Sequence, residues 1–118
     1  MINVAMKNPN WNRYEAALLI EAYKRIENGS VGRKEVAQEI SERLRTQGLI
    51  ESATYRNVNG ITLQLGAIEY LMTDGAHGIS HVSNLFREIV ELYKDNHAGF
   101  SILLKEAKMK YLNKTERI

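Results

Sequence analysis

After Pro9 the chain contains no further proline, so nothing beyond it forbids a continuous helical hydrogen-bond ladder. The apolar residues use that freedom. They recur at three- and four-residue intervals, the spacing that aligns side chains on one face of a helix. Leu18, Leu19, Ala22, Tyr23 and Ile26 form one stripe, and Val36, Ala37, Ile40 and Leu44 a second. Val82, Leu85, Phe86, Ile89, Val90 and Tyr93 form another, followed by Phe100, Leu103, Leu104, Ala107 and Tyr111. The chain reads as all-α, a compact five-helix domain.

Capping residues set the boundaries. Asn12 before the first stripe, with Glu15 three residues on, predicts a helix over 12–27 that stops at Asn28-Gly29. Trp11 just ahead of the cap is placed to staple onto the first turn. A second helix is expected over 32–46, closed by Gly48 and carrying i,i+4 pairs such as Glu39 with Arg43. A third, over 59–72, is capped by Asn57 or Asn59. Ile61, Leu65, Ile68 and Met72 fall on one line of it and Leu63, Ala67 and Tyr70 on another. Only Thr62, Gly66 and Glu69 remain as a polar strip, which predicts a central helix buried on two sides. Residues 73–78 read as a loop, Ser80 or Ser83 caps a fourth helix over 82–95, and Asp95-Asn96 separates it from a fifth over 97–113. The alternative for 52–65 is a β-hairpin turning at Asn59-Gly60. The whole reads as one domain, 1–118, with an N-terminal arm over 1–10 and a basic tail over 113–118.

Other properties narrow the function. With no cysteine, disulfides, thiolate zinc sites and cysteine nucleophiles are excluded. No apolar run reaches the roughly 18 residues that span a bilayer, and Met1 to Lys7 lack the pattern of a signal peptide. A cytoplasmic protein without membrane contact is expected. The net charge is +2, but residues 59–96 carry five acidic and two basic side chains, whereas 97–118 carry five basic and two acidic. A polyanion should therefore meet the first half or the tail.

No phosphate-binding glycine loop, nucleophile elbow or His-Glu-x-x-His run is present. Glu88 and Glu91 read as a charged exterior. His77 and His81 stand four apart, but Gly78 interrupts the helix that would align them on a metal. Lys105, Lys108, Lys110, Lys114 and Arg117 scatter around the last helix and read as a solvated end. No enzyme, no cofactor and no metal site is expected.

Three short helices in succession resemble a helix-turn-helix or Myb-like arrangement. In it, Arg56, Asn57, Asn59, Thr62 and Gln64 at the start of the third helix would approach nucleic acid, with Arg33 and Lys34 contributing charge from the second. Arg and Asn suit that role because each can bond a base edge at two points. The narrow polar strip with Glu69, and a connection over 47–58 longer than the usual turn, move the expected contact off the helix face and onto the preceding turn. The competing reading makes Tyr55-Arg56-Asn57-Val58-Asn59-Gly60-Ile61 a capping cassette in which Arg56 pins the first helix through Glu15 or Glu21.

Asn8-Pro9-Asn10-Trp11, Glu15, Ala22-Tyr23 and Tyr55-Arg56-Asn57-Val58-Asn59-Gly60-Ile61-Thr62-Leu63 together resemble the region preceding the nuclease domain in a group of bacterial HNH restriction-type endonucleases. That region typically has a Pro-x-Trp start, a Leu-Asp-Leu-Tyr-like helix and a later Arg-Asn-Pro-Asn-Gly-Val run. Similar segments begin other bacterial proteins of unassigned function. The resemblance covers residues 8–65, more weakly Leu85-Phe86. Val58 stands where the group prefers proline, and residues 66–118 match poorly. It implies an accessory domain of a restriction, defence or mobile-element system that helps an effector engage duplex DNA or partner subunits. The alternative is a protein–protein or self-association module, motivated by balanced charge and apolar surplus in the last three helices.

Overall fold

The computed structural model describes residues 8–47 and 52–112, and among them it contains five α-helices and no strand. They are α1 (Arg13–Glu27), α2 (Arg33–Gln47), α3 (Val58–Met72), α4 (Asn84–Asp95) and α5 (His97–Lys110). No helix of the described residues is long and apolar enough to cross a membrane. Residues 1–7, Gly48 and the tail with Lys114 and Arg117 lie outside the described residues.

The helix ends follow from their caps. Asn12 accepts from the Glu15 amide at 2.9 Å while Glu15 Oε1 accepts from the Asn12 amide at 3.0 Å, a complete capping box. At the other end Gly29, with φ +82°, donates to the Ile26 carbonyl and Ser30 to that of Arg25, the paired bonds of a Schellman stop. Asn57 caps α3 by accepting from Gly60 at 2.7 Å. Asn59-Gly60 therefore lies in a first helical turn rather than at the tip of a hairpin. Ser83 caps α4. Asn96 ends α4 and also caps α5, accepting from Gly99 at 3.0 Å.

α1 is the central element: it packs on α2, α3, α4 and α5. Every residue from Glu15 to Ile20 on it is buried. This corrects the expectation that α3 is the central helix, although α3 is packed on by α1, α2 and α4 and Ala67 on its second line is buried. The Ile61, Leu65, Ile68 line of α3 is buried, but Leu63 on the second line is 59 % exposed. The fifth helix also stops at Lys110, short of the expected 113.

The segment between α3 and α4 is laid over α3. The Ile79 amide donates to the Gly66 carbonyl at 3.0 Å. A Cβ on Gly66 would come within 2.6 Å of Ile79, and one on Gly78 within 2.4 Å of the Gly66 carbonyl oxygen. Gly78 also has φ +95°, a left-handed conformation that a side chain disfavours by about 1–2 kcal/mol. Gly78→Ala is therefore expected to destabilise the protein by about 2–3 kcal/mol in urea unfolding. Gly29→Ala, with φ +82° but open space around it, should cost only the backbone strain, about 1 kcal/mol. Equal costs at the two positions would count against close packing of this segment on α3.

Candidate functional site

The turn leading into α3 holds the most distinctive chemistry. Arg56 is a non-glycine residue with φ +47°, a conformation that persists only where the surroundings compel it. They do so here. Nε donates to Glu15 Oε2 at 2.8 Å, and Nη2 donates to Glu15 Oε1 at 3.0 Å and to the Asn10 carbonyl at 3.1 Å. The guanidinium lies 4.0 Å from the Trp11 ring centre and 4.9 Å from that of Tyr55. Arg56 is 5 % exposed and Glu15 1 %. A planar fork serves this bidentate, stacked position, and an ammonium would not.

Neighbouring bonds tie the pair to the remaining elements. Ser41 of α2 donates to the Arg56 carbonyl at 2.7 Å, and Arg45 reaches the Tyr55 carbonyl. Asn12 donates to the Tyr111 hydroxyl at 3.0 Å. Burial pushes the phenols of Tyr55 and Tyr111 above their ordinary range, so both are neutral near pH 7. Trp11 also meets Phe86 edge-on at 6.2 Å.

Beside this network is a cleft of about 770 Å³, in the size range of small-ligand sites. The 8–11 arm forms one wall, Thr54 and Arg56 the floor side, Gly60 and Gln64 of α3 another wall, and residues 81–83 with Leu85 the last. The cleft thus lies against the first turn of α3, where the Gly60 amide is taken by Asn57, and against the cap of α4, and the positive ends of two helix dipoles there favour negative charge. Asn8 Oδ1 is buried without a hydrogen-bond partner. His81 is exposed, and neither His81 nor Gln64 is hydrogen-bonded to the described residues. Among the described residues that line the cleft, Arg56 is the sole cation, and it is committed to Glu15.

The expected contact residues separate into different roles. Arg56 is a buried pin to Glu15, which removes it from the groups that an incoming polyanion could reach. Asn57 is spent on the α3 cap. Thr62 is exposed but bonded to the Val58 carbonyl at 2.9 Å, and Asn59 is exposed without a fold-supporting bond. Arg33 pairs with Glu69 at 3.2 Å near the far end of α3, and Lys34 beside it is exposed. At 1.5 Å per residue, Asn57 and Glu69 are roughly 18 Å apart along the helix. The six residues therefore do not form one patch.

Other charges are likewise engaged: Arg25 with Glu39 at 2.8 Å, where Arg43 was expected, and Lys108 with Glu21 at 2.6 Å. His77 and His81 are both exposed, and among the described residues no group of three His, Cys, Asp or Glu could hold a metal ion. The wall formed by His81, Ser83 and Leu85 was not foreseeable from the turn motif. The docking of Ile79 at Gly66 brings it there, and no local signal announces that contact.

Compared with protein-family models, curated proteins and solved structures, the chain finds no match.

Breaking one side of a buried ion pair leaves an uncompensated charge, at a cost of about 3–5 kcal/mol. Arg56→Met should lower stability by that amount in urea unfolding. Arg33→Met, in a pair whose side chains are 37 % and 25 % exposed, should cost below about 1 kcal/mol. In the Arg56→Met background, Glu15→Gln should be markedly cheaper than in the native chain; strict additivity would exclude direct coupling.

Proposed function

We propose that the chain is a non-catalytic, DNA-associated accessory domain of a bacterial restriction, defence or mobile-element system, acting in the cytoplasm. The observation that carries this reading is the cleft onto which the starts of α3 and α4 both open, beside the Arg-Asn-x-Asn-Gly turn. The positive ends of two helix dipoles suit a phosphate. Gln64 and His81 of the lining add hydrogen-bonding groups that the fold does not use, and exposed Asn59 lies in the same turn of α3 as Gly60. In this reading α1 to α3 act as a helix-turn-helix-like unit that presents the start of α3, rather than its polar strip, to the duplex. Lys34 gives a second, separate phosphate contact at the other end of the α2–α3 pair.

Such a surface binds weakly. Arg25, Arg33 and Arg56 hold internal carboxylates, and few cations are left to displace counterions. With Lys34 the one cation that this surface offers, log K should fall with log salt at a slope near −1. A second reading, a protein–protein module, is favoured by one observation: Ile102 and Met109 on α5 are 63 % and 72 % exposed.

The two readings separate in a fluorescence titration of labelled duplex at low salt. Binding is expected, with the shallow slope above, and Gln64→Glu combined with His81→Glu should weaken it at least tenfold. Absence of binding to both duplex and single strands would sink the DNA reading and leave the protein module.

A further inference from the structure

The α4–α5 pair carries a surface that DNA association leaves unused. α4 and α5 join through the single residue Asn96 and pack on each other. Between them lies a groove of about 390 Å³. Leu85, Ile89 and Leu92 of α4 and Ile102 and Leu103 of α5 give it an apolar lining, with Gly99 adding no side chain. Ile102 is 63 % exposed, and Met109, 72 % exposed, falls on the same line of α5 two turns later. An isolated exposed apolar side chain is ordinary, but two on one line, continuous with an apolar groove, form a patch.

The charged side chains that line the groove are two carboxylates and one arginine. Glu88 of α4 and Glu106 of α5 stand on its edges, with Arg13 of α1 near Glu106. Glu88, Glu91 and Asp95 on the exposed side of α4 make no hydrogen bond or ion pair among the described residues. Arg13 is the one cation among the described residues that line the groove, so the lining is net negative. A polyanion gains nothing from such a rim. A second copy docked groove to groove would bring together four carboxylates and two arginines.

We propose that the α4–α5 groove docks a basic amphipathic helix of a protein partner. Its apolar residues, spaced i, i+3 or i+4 and i+7, would cover Leu92, Ile102 and Leu103, while flanking lysines or arginines meet Glu88, Glu91 and Glu106. This surface does not depend on the DNA reading. Its complementarity is of the kind that speeds association and rejects acidic competitors.

The test uses the full chain and two labelled synthetic peptides of about 18 residues with one apolar helical stripe. One carries leucine and lysine, and the other replaces every lysine with glutamate. Fluorescence anisotropy should show binding of the lysine peptide and at least tenfold weaker binding of the glutamate peptide. Ile102→Glu, at an exposed position that leaves the fold intact, should weaken the lysine peptide at least tenfold. Glu88→Gln with Glu106→Gln should flatten its salt dependence, and both variants should leave the duplex titration unchanged. No binding, equal binding of both peptides, or indifference to Ile102→Glu overturns the proposal. So does a concentration-dependent dimer that Ile102→Glu dissolves, since the face would then serve a second copy.

Discussion

The fold is organised around one buried ion pair. Glu15 is both the N3 residue of the α1 capping box and the acceptor for two nitrogens of Arg56. The same carboxylate therefore starts the central helix and fixes the turn that starts α3. Ser41 binds the Arg56 carbonyl from α2, and Asn12 next to the pair holds Tyr111 at the end of α5. A buried pair of this kind adds little stability over apolar residues of the same shape, because desolvation offsets attraction. Its effect is selective. Any packing that separates the 54–57 turn from the first turn of α1 leaves two bare charges in a low-dielectric interior. The left-handed backbone of Arg56 is a further strain that the bidentate contact and the two flanking rings hold in place.

The cleft depends on a different device, made from absent side chains. Gly66 lets Ile79 lie against α3, and Gly78 passes too near the α3 backbone for any Cβ. Together they bring residues 81–83 around to face the arm and the start of α3. Two capped helix starts, 26 residues apart in sequence at Asn57 and Ser83, then border one space. Neither helix dictates this arrangement by its own amphipathicity.

Local chemistry was legible in the sequence, and long-range pairing only at Arg56, where a pin to Glu15 or Glu21 is one of two readings and the Glu15 pair is found. Asn12 announced a helix start and Asn28-Gly29 a stop, while Asn57 and Ser83 were each one of two candidate caps, because a cap is satisfied within a few residues of itself. The central helix was misassigned although its signal was present. Residues 16–20 are apolar without interruption, and a helix apolar all round is a buried one. The hydrophobic lines of α3 compete with that signal, yet Leu63 on one of them faces solvent. Cations were harder to place. Arg25, Arg33 and Arg56 meet carboxylates 14, 36 and 41 residues away. No local pattern separates such an arginine from one left free for a ligand, so the basic first half promised more open charge than the fold leaves.

The cleft and the α4–α5 groove are neighbours, since Leu85 lines both. Leu85 is the one residue they share among the described residues, and Glu88 and Glu106 line the groove alone. The two surfaces are therefore built separately, the cleft from the 8–11 arm, the first turns of α3 and residues 81–83, the groove from α4 and α5. A change at Ile102 or Glu106 alters the groove without entering the cleft, so binding at one surface is separable from binding at the other.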